Sequence, residues 1–283
     1  RRRSISRVYL MLSPSVPYFE RAPVVERVLG VQFQPIASFH SGLLGAFWKS
    51  LGDDWTAAND AAPIAPHFID FGNERLSLIP RVSLTLTQMP VSRLQILNRR
   101  GDRMIQIQNG RFHLNWKGAS GKDYPRYPEI REEFDRYFQQ LVDFLSCELA
   151  VRPSVELWEV TYLNHLPKAS VWSEPRDWAS LFPPLSQPST VPHGLSLETI
   201  AGSWQYEICP RRGQLHVEIR HGMNERGGEE LLVFSLTARG PINREIDSDF
   251  GAGLDLGRLT IANAFKDLTA KTAHHYWGLR DET

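Results

Sequence analysis

Apolar and polar positions alternate through Ile105-Gln106-Ile107-Gln108 and again through Arg111-Phe112-His113-Leu114-Asn115, with only Asn109-Gly110 between the two runs. Asn-Gly between alternating runs is a strong short-range hairpin signal. A two-residue turn predicts that Gln108 faces Arg111, Ile107 faces Phe112, Gln106 faces His113, Ile105 faces Leu114 and Met104 faces Asn115. One face of this hairpin is then apolar. The other carries Gln106, Gln108, Arg111, His113 and Asn115.

Reading outward from the hairpin, residues 24–33 are rich in β-branched side chains between Pro23 and Pro35 and predict a strand. Ser41 caps a short helix with Leu44, Phe47, Trp48 and Leu51 at helical spacing, and Gly52 stops it. Residues 53–73 carry no period and predict a long connection, with strands from 75 to 116. Pro128 suits the first turn of a helix, Glu129, Glu132 and Glu133 suit its positive end, and Ile130, Phe134, Tyr137, Phe138, Leu141 and Leu145 draw its buried stripe to about Ala150. The order then recurs, with a strand over 153–166, a short helix from Ser173 through Trp178 and Leu181, and a Pro/Ser-rich connection over 183–193. Strands follow near 195–209, 214–221 and 231–239, and a last helix is expected from an Asp255 cap through Leu259, Ala262, Phe265, Leu268, Thr272 and Tyr276 to Gly278.

Val24 and Val155 are 131 positions apart, and Ile130 and Leu259 are 129 apart. Near-equal displacement of the first strands and last helices predicts an α+β chain of two similar halves, each strand, short helix, antiparallel strands and long helix. Residues 1–16 read as a loose N-terminal extension, 17–152 as the first half and 153–283 as the second. This order is like that of TATA-binding-protein-like halves, whose sheets join into a saddle with one face covered by helices and the other open. The helix-grip order is the alternative, and it encloses a pocket between sheet and final helix.

Composition narrows the classes. With 283 residues, 42% hydrophobic and 23% charged, the chain is long enough for one or two ordinary cores. The 32 basic and 32 acidic residues balance, so net charge does not mark the chain as a polyanion binder. No apolar run approaches the ~20 residues that cross a bilayer. Two cysteines, Cys147 and Cys209, are too few for a disulfide framework and suit buried thiols in a reducing cytoplasm. One segment departs from neutrality: residues 91–131 hold nine Arg/Lys against three acids, a net +6, with Phe112, Trp116, Tyr124 and Tyr127 among them. Such a hairpin suits nucleic acid, but a solvated edge that deters sheet association is the simpler reading.

Motifs for catalysis and cofactors are sparse. Gly251, Gly253 and Gly257 do not have dinucleotide-fingerprint spacing, and no GxxxxGK[ST], GxSxG or HExxH occurs. His216 and Glu218 share a strand face that His221 does not, His274 and His275 point about 100° apart on a helix, and Glu245, Asp247 and Asp249 read as solvated loop charge, so neither metal nor cofactor is expected. Glu159, Asn164 and His165 near one strand end are the candidates for acid–base chemistry.

Several runs together carry a resemblance: Pro23-Val24-Val25-Glu26 through Gly30-Val31-Gln32-Phe33, Ile105-Gln106-Ile107-Gln108 with Arg111-Phe112 and Asn115-Trp116, Tyr124-Pro125-Arg126-Tyr127, Glu159-Val160-Thr161-Tyr162-Leu163-Asn164-His165, and Trp277-Gly278. Over residues 16–279 the chain resembles a sporadically distributed family of uncharacterised prokaryotic proteins. The resemblance implies a bacterial cytoplasmic protein, with patchy occurrence typical of defence or toxin-linked genes, and it carries over no particular activity. Residues 1–10 lie outside it, consistent with a start at Met11.

The expected function is a non-enzymatic binding protein that presents an open polar sheet face to a protein or nucleic acid. Its contact residues are Gln106, Gln108, Arg111, His113 and Asn115, with Trp116 and Arg126 at the margin, and no membrane partner. The alternatives are a hydrolase with His165 as general base oriented by Glu159 or Asn164, and a helix-grip pocket for an apolar ligand.

Overall fold

A computed structural model describes residues 16–69, 92–118, 124–185, 197–208, 210–224, 227–242 and 249–280. Strand β1 (Tyr18–Phe19) precedes β2 (Val24–Phe33), helix α1 (Ser41–Ser50) and β3 (Trp55–Ala61). Strands β4 (Arg93–Asn98), β5 (Arg103–Gln108) and β6 (Arg111–Lys117) lead to the long helix α2 (Tyr127–Leu149). Then come β7 (Val155–Pro167), α3 (Trp178–Leu181), β8 (Ala201–Ile208), β9 (Gly213–Met223) and β10 (Glu230–Pro241). The described chain ends with α4 (Phe250–Leu268), α5 (Lys271–Trp277) and β11 (Leu279–Arg280).

This is an α+β fold around one large antiparallel sheet that does not close. Nine strands run in the order β3-β4-β5-β6-β2-β7-β10-β9-β8, and β1 pairs separately with β11. β2 and β7 lie side by side at the centre, antiparallel, with Leu29 opposite Val160 and Gly30 opposite Glu159. The β5–β6 hairpin has the register that its Asn-Gly turn dictates, from Gln108 opposite Arg111 to Met104 opposite Asn115. Gly110 takes the left-handed conformation (φ +88°) that the turn requires. The Asn109 amide ties the turn to the Ile36 backbone, accepting from its N–H at 2.8 Å and donating to its carbonyl at 3.0 Å.

Period-two alternation sends one set of side chains into the core and the other onto the opposite face. On the core side, Phe112 meets Phe134 and Phe138 of α2 at ring distances of 5.7 and 5.6 Å. Ile130, Phe134, Phe138, Leu141 and Leu145 are all buried along that helix, each contributing about 1.5–3 kcal/mol of transfer free energy. Helix α4 lies against β7 and β10. It approaches so closely that a Cβ at Gly253 would sit 2.1 Å from Trp158 Cδ1, and one at Gly257 2.8 Å from the same ring. These glycines make room for Trp158.

That packing explains one departure from the sequence reading. The last helix begins at Phe250, capped by Asp249 through its bonds from Gly251 and Ala252 N–H, and not at Asp255. In its first two turns Gly253 and Gly257 lie on the Trp158 indole and Gly251 against the Arg131 side chain, so these turns read locally as loop. The helix breaks at Thr269 and resumes as α5, with Gly278 as its left-handed C-cap. The connection expected over 53–73 contains β3, an edge strand whose mostly exposed side chains show no alternation. Ser41 is the first residue of α1 and not its cap, and His40 at the cap makes no side-chain bond. Cys147 is exposed on α2, contrary to the buried thiol expected. Cys209, Glu245 and Asp247, and the strands expected over 75–91, lie outside the described residues. No described helix is long and apolar enough to cross a membrane.

Candidate functional site

The face of the sheet away from the helices is mostly polar, with Val28, Leu163 and Val233 among its apolar positions. One transverse row crosses the sheet through register partners: Gln95, Gln106, His113, Gly30, Glu159, Arg239 and Gln214. Gly30 leaves space in this row, since a Cβ there would meet His113 Cδ2 at 2.3 Å. The imidazole therefore lies across the strand and reaches toward Glu159.

Glu159 is the centre of a buried charge cluster. Arg239 Nε lies 3.0 Å from its Oε2, Arg111 Nη1 at 4.0 Å and His67 Nε2 at 3.9 Å, while His113 Nε2 is 4.0 Å from Oε1. Burial alone pushes this carboxyl upward, but the surrounding His113, Arg239, Arg111 and His67 prevail and hold it below the ordinary value. Burial lowers both His113 and His67 to about 4, against the pull of Glu159. At neutral pH both imidazoles are thus uncharged, and the two arginines supply the countercharge. Burial, with Arg239 nearby, also lowers His216. An ionised carboxylate held by arginines is a poor proton acceptor. It is well suited to joining β6, β7 and β10.

The five hairpin residues expected on an open face are not open. Gln106, Gln108, Arg111, His113 and Asn115 are 2–7% exposed. Two things cover them. Gln106 accepts from Arg93 Nη1 (2.7 Å) and Gln95 Nε2 (3.1 Å) and donates to Asn115 Oδ1 (2.9 Å), and Asn115 donates to Glu26 (2.6 Å). Over Gln108 and Arg111 lies the chain's own segment 62–69. Gln108 accepts from the Ile64 N–H and donates to the Ile64 carbonyl, both at 2.8 Å. Gln32 treats His67 the same way, at 2.9 and 3.1 Å. Arg111 Nη2 donates to the Ala65 carbonyl and to Gln32 Oε1, both at 2.8 Å. Pro63 and Pro66 immediately precede the clamped Ile64 and His67, and proline biases the residue before it toward extended backbone. Two glutamine amides, three residues apart on the segment, clamp it by its peptide groups.

Beyond β7 the same face is accessible. Thr161 and Thr237 join across the β7–β10 pair at 2.9 Å. His216, Ser235 and Arg239 are half-buried, and Ser203, Gln205, Glu207, Glu218 and Arg220 are exposed.

The remaining predicted residues lie elsewhere. Trp116 is buried on the helix side beside Tyr124, and Arg126 precedes α2 and stacks on Tyr18, so neither borders the polar face. The hydrolase constellation is not assembled. Asn164 points to the helix side and donates to the Phe234 carbonyl, and Glu159 lies six positions along β7 from His165, about 20 Å at strand rise. Part of the +6 segment is paired within the chain. Arg103 pairs with Glu133 and Asp102, Arg131 with Asp135 and Asp255, and Arg111 lies in the Glu159 cluster. Arg239 and segment 62–69 were not singled out from sequence. The available signals were the strand register that puts Arg239 opposite Glu159 and the two prolines three apart.

No family model, curated protein or solved structure matches this chain.

Proposed function

We propose that this chain is a non-enzymatic binding protein of two related halves that holds an extended protein segment on its polar sheet face over β7–β10. The strand order supports the duplication. The innermost strands β2 and β7 begin each half, and the later strands of each run out to an edge, in the manner of a TATA-binding-protein-like saddle. The single observation that carries the function is the clamp on Ile64 and His67. This face already recognises extended backbone within the chain, through glutamine amides that both donate and accept.

The accessible half offers the same chemistry in Gln205, Gln214, His216 and Arg239. Its charges are mixed, with Arg220 and Arg239 against Glu207 and Glu218. A polyphosphate backbone needs several uncompensated cations, so a protein partner is favoured over nucleic acid. The test is affinity capture with the full chain. Wild type retains a protein that the Gln205→Ala/Arg220→Glu variant loses, and nuclease treatment leaves it in place. Equal retention by the variant, or release by nuclease, overturns the reading.

A further inference from the structure

A second site is built on the opposite side of the sheet, independent of the polar face. A cavity of about 330 Å³ opens between β2, β7, the start of α2 and α4, with Tyr18 in one wall. Arg27, Arg126 and Arg258 all line it, and no lining residue carries a carboxylate. Among the described residues none of the three forms an ion pair. The nearby Glu129 accepts from the Arg126 backbone N–H, and Asp255 pairs with Arg131.

The arginines are held in a stack of alternating rings and cations. Arg126 lies 4.2 Å from the Tyr18 ring centroid and 5.4 Å from that of Tyr124, and Arg27 lies 4.3 Å from Tyr124 and 4.6 Å from Tyr162. Arg258 sits 5.2 Å from Tyr127. Arg27 is only 7% exposed. Tyr124 and Tyr162 both pack against its guanidinium, whose N–H groups radiate in its own plane. One of them, on Nη1, donates to the Pro125 carbonyl at 2.9 Å, while the buried Nε has no acceptor. A buried cation without a counterion, with a donor left unmade and two like charges lining the same cavity, is the arrangement an anion completes.

We infer that this cavity binds a small anion on a planar aromatic body, a carboxylate or phosphate monoester whose oxygens meet the in-plane edge of Arg27 while its ring packs among the tyrosines and Phe265. The volume lies at the low end of small-molecule pockets, which admits one or two rings and excludes a dinucleotide. The apolar ligand of a helix-grip pocket would leave three guanidiniums unanswered.

The test uses the full chain with benzoate and phenyl phosphate as probes, benzamide as the neutral isostere and inorganic phosphate as the ringless anion, followed by calorimetry and thermal denaturation. Benzoate or phenyl phosphate is expected to bind with a Kd between about 10 µM and 1 mM and to raise Tm. Benzamide and inorganic phosphate are each expected to bind at least about tenfold more weakly, and Arg27→Gln to lose about tenfold or more for the aromatic anion. Should Arg27→Gln fail to fold, Arg258→Gln on the more accessible wall gives the same reading. Benzamide equal to benzoate, inorganic phosphate equal to phenyl phosphate, no probe bound by wild type, or both variants binding as wild type would overturn the inference.

Discussion

The polar face over β4–β6 and the polar face over β8–β10 come from the same kind of sequence, alternating strands with Gln, His and Arg at every second position, yet their fates differ. In the first, Gln106, Gln108, Arg111, His113 and Asn115 are buried within a hydrogen-bonded network and under segment 62–69. In the second, Gln205, Glu218 and Arg220 remain exposed. Alternation determines which side chains leave the hydrophobic core. It does not determine what then lies over them, because a distant extended segment can satisfy the same donors and acceptors that water would.

The junction of the two regions is the strongest place to test this contrast. Removing the carboxylate in Glu159→Ala leaves the buried Arg111 and the half-buried Arg239 without their partner, and loss of one member of a buried pair costs about 3–5 kcal/mol. Urea denaturation measures it. A loss below about 1 kcal/mol would mean that solvent reaches the cluster and that the first region is not closed.

Acid should weaken the buried region next. His113 titrates near 4 in the folded chain because burial opposes its charge, against 6.5 when exposed. The unfolded chain therefore binds more protons between those values, and stability falls as pH drops from 6.5 toward 4, by on the order of 3 kcal/mol for a group this buried. Glu159 acts in the same sense at lower pH. Its folded value lies below the ordinary 4.5, so its contribution is present above that value and is lost as pH falls through the folded one. Denaturation at pH 7, 5.5 and 4.5 should show this slope in wild type and a flatter one in His113→Gln. A wild-type slope already flat would place His113 in water.

How much of this was legible in sequence follows from the range of each interaction. The hairpin register, the stripe of α2 and the Gly278 stop depend on residues within one or two turns of each other, and their patterns are local. The early start of α4 was hidden because Gly253 and Gly257 answer to Trp158, more than ninety positions earlier, and Gly251 answers to Arg131 on α2. Likewise the polarity of Gln106 and His113 was readable, but their burial was not. It depends on Arg93, Glu159 and segment 62–69, which the fold brings over from other strands and a connection. Edge strand β3 was missed because little of it is buried and so nothing imposes a period on it.

A smaller effect sharpens the comparison further. Gln32→Ala with Gln108→Ala removes the clamp on Ile64 and His67 at about 1 kcal/mol per hydrogen bond. Because the segment lies on the sheet and not in the core, the expected outcome is faster amide exchange at Ile64 and His67 with little change in the exchange of β5 and β6. Unchanged exchange at those two amides would show that something other than the glutamines holds the segment down.

The most direct measurement is site-specific photocrosslinking in cell extract, with a photoreactive side chain at Gln205 on the accessible polar face and, as the control, at the exposed Gln139 of α2. The account predicts a protein adduct from position 205 and none from position 139. Adducts of equal yield from both positions, or from position 139 alone, would contradict it.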